Sequence, residues 1–257
     1  MPTRERIIIY FHGIPGGGAE LNLFGQKIAS KSSDFVLAER DMAHSLVGAD
    51  RFSQIAETVR QQHTGRPLHL VGFSLGAAAA LRVAAHLGDQ VEQIDLISPA
   101  APLHLGNYLD GMAGALVFRC ARDRPRAFRL LSKGQSWFAK VSPERLFAAL
   151  FSNAQGADIN LRSDPGFRAI MISLLQQSLV ANLDTYQAEI QSYIEDWSDV
   201  LPLVTQRVAI FHGRSDNWSP PQMARDLAIA LPNCERLDLV EGCSHFSSLR
   251  QYLSNQQ

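Results

Sequence analysis

The sequence predicts an α/β chain: a mostly parallel sheet of about six strands, covered by helices on both faces and interrupted by an all-helical insertion. Three observations predict it. Apolar runs of strand length alternate with helical periodicity through residues 7–97 and again from residue 207. Between about residues 100 and 201 that alternation stops and only helical patterns remain. Finally, Gly72-Phe73-Ser74-Leu75-Gly76 lies between an apolar run and an alanine-rich run, where a strand must reverse into a helix.

Taken in order, Ile7 to Phe11 is the first strand, followed by the glycine-rich turn His12-Gly13-Ile14-Pro15-Gly16-Gly17-Gly18. Helical periodicity covers Glu20 to Ser30, a second strand Phe35 to Ala38, and an amphipathic helix Gln54 to Gln62. Pro67 to Val71 reads as a buried strand leading to Ser74, and Ala77 to His86 as the helix after it. Ile94 to Ile97 is the next strand, closed by Ser98-Pro99. After the insertion come the strand Arg207 to Phe211, the helix Pro221 to Leu231, the strand Arg236 to Val240 and a last helix from Phe246. These limits divide the chain into a core, residues 1–100 and 202–257, and a helical cap, residues 101–201. Eight phenylalanines and tryptophans fall in the cap, among them Phe118, Phe151 and Phe167; most belong to its own core, with two or three lining a cavity over the carboxyl edge of the sheet.

Bulk properties narrow the class. The chain has 257 residues, 46% hydrophobic and 19% charged, as expected of a globular enzyme with a substantial core. Its formal net charge of −1 favours neither nucleic acid nor an anionic membrane as partner. No segment approaches the ~18 uncharged apolar residues of a membrane-spanning helix. Met1 to Arg6 run straight into a strand without a secretion signal, and three cysteines make no disulfide framework or metal-like spacing. A cytoplasmic protein acting on a small molecule, with no cofactor and no metal, is the expectation.

Chemistry enters at Ser74. A serine at a strand-to-helix reversal is forced into a strained backbone, which lifts its hydroxyl clear of the sheet. Gly76, Ala77, Ala78 and Ala80 let the helix approach closely. The plain alternative is an ordinary strand–turn–helix joint, so the partners of a nucleophile decide the matter. A serine needs a base, and the base an orienting acid. Of eight histidines, His245 follows the last strand in Gly242-Cys243-Ser244-His245-Phe246, at the same sheet edge as Ser74. His12 and His212 precede glycines at strand ends, where an imidazole satisfies backbone groups. The acid is sought at another strand end, and Gly213-Arg214-Ser215-Asp216 supplies Asp216, whose plainer role is to cap the following helix. Asp95 is the runner-up but sits inside a strand. An oxyanion hole needs the N–H of the residue after the nucleophile, Leu75, and one from the loop after the first strand. Pro15 has no N–H, which leaves Ile14.

With these residues the chain resembles the α/β-hydrolase family. The resemblance covers about residues 5–99 and 205–255 through His12-Gly13-Ile14-Pro15-Gly16, Gly72-Phe73-Ser74-Leu75-Gly76, Gly213-Arg214-Ser215-Asp216 and Gly242-Cys243-Ser244-His245. It implies a Ser74–His245–Asp216 triad, an acyl-enzyme, and hydrolysis of an ester, thioester, amide or carbon–carbon bond, or acyl transfer. A carboxylesterase-like serine hydrolase for an apolar acyl or aryl substrate is the leading expectation. A non-catalytic binding protein on the same scaffold would be expected to have lost a triad member. A dinucleotide-dependent reductase would need a glycine spacing that Gly13 to Gly18 lacks. Aspartate-nucleophile chemistry is set aside because Ser74 is a serine.

Two departures and one charge pattern carry further expectations. Only six residues precede Ile7, so the antiparallel strand pair that usually opens the family's sheet is expected to be missing. Phe35 to Ala38 then forms an open edge that predicts a homodimer. Arg40-Asp41-Met42-Ala43-His44-Ser45 only partly matches the family's Asp-x-x-Gly-His-Gly turn. In the cap, Arg119, Arg122, Arg126 and Arg129 would share one helix face if the helix continues through Pro125, either as a solvated face or as a dock for an anionic carrier or carboxylated substrate.

Overall fold

The computed structural model describes residues 6–38 and 49–256. The Arg40 to Ser45 turn lies outside the described residues. Six parallel strands form one sheet: β1 (Ile7–Phe11), β2 (Phe35–Leu37), β3 (Leu68–Phe73), β4 (Val91–Ile97), β5 (Arg207–Gly213) and β6 (Cys234–Val240), in the order β2-β1-β3-β4-β5-β6. Every residue of β3 is buried, as its unbroken apolar character requires of a central strand covered on both faces. No antiparallel pair precedes β1 among the described residues, and β2 pairs with β1 alone. Val36 and Leu37 on that strand are 36% and 40% exposed, so among the described residues the edge is open.

The helices of the core are α1 (Gln26–Ala29), α2 (Ala49–Gln62) and α3 (Leu75–Leu87), joined after the insertion by α10 (Pro221–Ala230) and α11 (His245–Ser254). Helices α2 and α3 pack together on one face of the sheet, with α1 against α11. Ala77 to Leu81 of α3 have no solvent exposure, because small side chains let that helix lie directly on β3. The expected helix over Glu20 to Ser30 is broken. A 3-10 turn at Gly18–Asn22 and the single turn of α1 replace it, separated by Gly25 at φ 82, a left-handed conformation no continuous helix contains.

Between β4 and β5 the described residues contain no strand. Helices α4 (Ala115–Asp123), α5 (Pro125–Val141), α6 (Pro143–Leu150), α7 (Asp158–Ser163), α8 (Pro165–Gln176) and α9 (Leu183–Ile194) follow one another, with a π-helical turn at Gln177–Ala181. The anticipated arginine face does not form. Arg124 sits at φ −144, ψ 70, because a residue before proline is pushed out of the helical region, and Pro125 opens a new helix. Arg119 and Arg122 therefore lie on α4, paired with Asp110 and Asp123, while Arg126 and Arg129 lie exposed on α5.

Several polar contacts tie this helical segment to the core. Arg51 of α2 pairs with Glu189 of α9, both buried. Arg82 of α3 donates to the carbonyl and hydroxyl oxygens of Ser192 at 3.1 and 3.0 Å. Its guanidinium also lies 4.0 Å over the Phe52 ring. No helix among the described residues is long and apolar enough to cross a membrane.

Candidate active site

The strand order places the site. The chain runs outward from β1 to β2, then returns to β3 on the other side of β1, so loops leaving β1 and β3 diverge and open a crevice between them. Register sets Phe11 beside Gly72, bringing the His12 to Gly16 loop next to Ser74. Ser74 caps α3 at φ 55, ψ −125, a conformation that costs about 1–3 kcal/mol for a non-glycine residue and is held by its surroundings. Its N–H donates to the Ile97 carbonyl at 3.0 Å, and its carbonyl accepts from Ala77 and Ala100. The flanking glycines are sterically required: a Cβ on Gly72 would meet Ala77 Cα at 2.6 Å, and one on Gly76 would strike the Phe11 and His12 carbonyl oxygens.

His245 opens α11 immediately after the β6 loop, and Asp216 follows β5. His245 Nδ1 donates to Asp216 Oδ2 at 2.8 Å, with both side chains buried. Asp216 Oδ1 meanwhile accepts from the N–H groups of Trp218 and Ser219 at 2.8 and 2.9 Å. One oxygen thus shapes the turn before α10 while the other holds the imidazole, so the two roles weighed for Asp216 are carried by different atoms. Burial drives the Asp216 carboxyl upward, but His245, His212 and the Ser219 amide outweigh it and hold the group below the usual carboxylate range.

His212 lies deeper, with Nε2 donating to the Ser219 carbonyl at 2.9 Å and standing 3.5 Å from Asp216 Oδ2. Burial lowers its pKa against the opposing pull of Asp216, and the ring buttresses that carboxylate. His12 Nδ1 likewise donates to the Gly13 carbonyl at 2.8 Å. Asp95 serves elsewhere: inside β4 it accepts from the Tyr252 hydroxyl at 2.6 Å and lies 3.0 Å from His69 Nε2.

Ser74 and His245 face a common space of about 20 Å³, bounded also by Ile14, Phe73, Trp218 and Phe246. The His245 ring is gripped there by Phe73, 4.7 Å away centroid to centroid, and stacks on Trp218 at 5.9 Å and 23°. A second, larger cavity of about 260 Å³ runs from Ser74, Leu75 and Ile14 into the helical segment. Phe118 lines the larger space and Phe151 the smaller, whereas Trp137 is 64% exposed.

Two residues with no local signature complete the site. Glu20 is 1% exposed and takes the Gly13 N–H at 3.0 Å with Oε1, which also accepts from the Tyr10 hydroxyl at 2.6 Å. The Gly13 amide is therefore occupied. Among the described residues, the amides of Ile14 and Leu75 donate to no other protein group. Asp158, also 1% exposed, comes from α7 and accepts the N–H groups of Phe246 and Ser247 at 3.0 and 2.7 Å. It caps, from the helical segment, the helix that presents His245. Neighbouring contacts run the same way: Ala157 N–H to the Gly242 carbonyl at 2.8 Å, and Asn217 Nδ2 to the Asn153 carbonyl at 2.8 Å. Glu20 acts within its own loop, but the partners in the Asp158, Ala157 and Asn217 contacts are far apart in sequence, so periodicity and motif spacing hold no trace of them.

Comparison with known proteins agrees with this architecture. No curated protein matches the sequence. Among solved structures, the chain is similar to a bromoperoxidase from Bacillus anthracis (16% identity, TM-score 0.64, covering 97% of this chain and 88% of that one). It is similar also to an esterase from Exiguobacterium antarcticum (19%, 0.57, 98% and 93%) and a hydrolase from Oleispira antarctica (12%, 0.64, 98% and 92%). At such identities the likeness is one of fold. The family model for the alpha/beta hydrolase fold, in contrast, matches residues 6–251, nearly the whole chain, and the chain belongs to that family.

Proposed function

We propose that the protein is a serine hydrolase that cleaves an ester-type bond of a small, largely apolar acyl or aryl substrate through an acyl-enzyme. The observation that carries this reading is the 2.8 Å contact between His245 Nδ1 and Asp216 beside a space that Ser74 shares. With Nδ1–H committed to Asp216, Nε2 is the unprotonated nitrogen and serves as base. In the first half-reaction His245 takes the Ser74 proton as Oγ attacks the acyl carbon. Asp216 remains ionised and stabilises the imidazolium. The Leu75 and Ile14 amides receive the developing oxyanion, and His245 returns the proton to the leaving alcohol. In the second half-reaction His245 deprotonates water, which attacks the ester carbonyl of acyl-Ser74; the bond from the acyl carbon to Ser74 Oγ then breaks, His245 returns the proton to Oγ, and the acid is released.

The helical segment between β4 and β5 acts as a cap in this proposal, covering Ser74 and shaping the larger cavity. Pairing of two chains through the open β2 edge is a separate proposal, checked by solution mass at micromolar concentration; a monomeric mass contradicts it. The hydrolase reading is tested by p-nitrophenyl ester turnover in the wild type and Ser74→Ala. A burst of nitrophenol equal to the enzyme concentration, absent in the variant, is the expected result. Turnover that survives in the variant contradicts Ser74 as nucleophile.

A further inference from the structure

The two spaces at Ser74 divide the substrate between them. The smaller, about 20 Å³, touches His245, which must protonate the leaving group, and the larger, about 260 Å³, touches Ser74, Leu75 and Ile14 but not His245. An acyl group stays bonded to Ser74 after the leaving group has gone, so it needs the larger chamber. Among the described residues no charged side chain lines that chamber, and its walls are mainly apolar. The exposed cap arginines contribute nothing to it. An anionic acyl group would lose its hydration there with no counter-charge in return.

The chamber nevertheless has a polar station. Tyr186 on α9 lines it and is 4% exposed. Among the described residues, the one side-chain hydrogen bond of its hydroxyl is with Gln135 Oε1 of α5, at 3.5 Å, the outer limit for such a bond. Burial pushes the phenol pKa up, so the group stays a proton donor through the physiological range. A buried hydroxyl with so long a bond gains from a better acceptor, and the space available to bring one is the chamber itself. The wall beside it is formed by the π-helical turn through Leu179, where Asn182 N–H reaches back five residues to the Gln177 carbonyl at 2.9 Å and the helix widens.

We infer that the chamber selects an uncharged acyl group bearing an oxygen acceptor part-way along its chain, which receives the Tyr186 hydroxyl beside Gln135. This rests on the hydrolase reading above and adds to it the chemical class of the acyl group. A plain alkyl chain fills the same apolar volume but leaves the phenol with its poor bond, so the acceptor-bearing chain is favoured by the worth of one buried hydrogen bond, roughly tenfold in kcat/KM.

The test is a set of p-nitrophenyl heptanoates in which successive chain methylenes are replaced by a ketone carbonyl, each compared with the plain heptanoate. One ketone position is expected to raise kcat/KM about tenfold in the wild type, and that ratio should collapse toward one in Tyr186→Phe and hold or rise in Gln135→Met, which removes the competing acceptor. No preferred ketone position in the wild type, or an undiminished ratio in Tyr186→Phe, overturns the assignment. Labelling of Ser74 by a fluorophosphonate, read in parallel, separates the two claims. Labelling and ester turnover without a ketone preference overturn the chamber's role alone. Neither labelling nor turnover overturns the hydrolase reading and the chamber's role with it.

Discussion

The Asp158 carboxylate accepts the Ser247 N–H at 2.7 Å, two residues beyond His245, and so joins the helical segment to the helix that presents the imidazole. Helix α11 leaves its first N–H groups unpaired, as every helix does, and here an acid from another part of the chain fills them. The junction adds to the contacts with Asp216, Phe73 and Trp218 that hold His245 in place.

Asp158→Ala is therefore expected to lower kcat about tenfold while changing KM for a small ester little, and to cost about 1–2 kcal/mol of stability, the usual worth of a helix cap. Asp158→Asn, which keeps one acceptor oxygen, should fall between. Steady-state kinetics and urea denaturation check this; a KM effect without a kcat effect contradicts the positioning role.

Asp216 offers a sharper separation of fold from chemistry. Asp216→Asn keeps an oxygen to receive the Trp218 and Ser219 amides, so the turn before α10 survives. The amide in place of the second oxygen no longer fixes the His245 tautomer. A fall of about 10⁴ in kcat with a near-normal denaturation midpoint is the expected outcome.

Glu20 governs the loop after β1. Without it the Gly13 amide and the Tyr10 hydroxyl lose a buried acceptor, and the Ile14 amide beside them loses its fixed aim. Glu20→Ala should reduce kcat by about 10²–10³, the cost of one oxyanion donor. Steady-state ester hydrolysis by the variant measures the loss, and an unaltered kcat contradicts this role for the loop.

Acid stability follows from Asp216 and Asp95. In Asp95 burial raises the pKa, but His69, Tyr252 and Gln93 more than reverse it, and both groups titrate below their unfolded values. A carboxylate of lowered pKa stabilises the fold above the unfolded carboxylate range and loses that contribution as pH falls through the folded value. Denaturation midpoints should drop as pH falls below about 4, with a shallower slope in Asp95→Asn, whose side chain no longer titrates.

How much of this was readable in the sequence depends on the range of each interaction. Strands β1 and β5 announce themselves because a covered parallel strand is apolar over its length, and Ser74 because a tight strand-to-helix reversal needs Gly72 and Gly76. Asp216 and His245 were expected together from their places at strand ends, and the structure places them in contact. Glu20, Asp158 and Tyr186 were unreadable. Glu20 acts across a loop whose helical periodicity hides a break at Gly25, and Asp158 serves amides 88 and 89 residues away. The arginine periodicity misled because it ran through Pro125, where the backbone constraint outweighs the pattern of charges.

The most direct measurement is the intact mass of the protein after exposure to a small fluorophosphonate, with peptide mapping of the adduct. A single adduct on Ser74, lost in Ser74→Ala and slowed in Asp216→Asn, is the predicted result. No adduct on the folded wild type, or an adduct that persists in Ser74→Ala, would contradict an activated nucleophile at the end of β3.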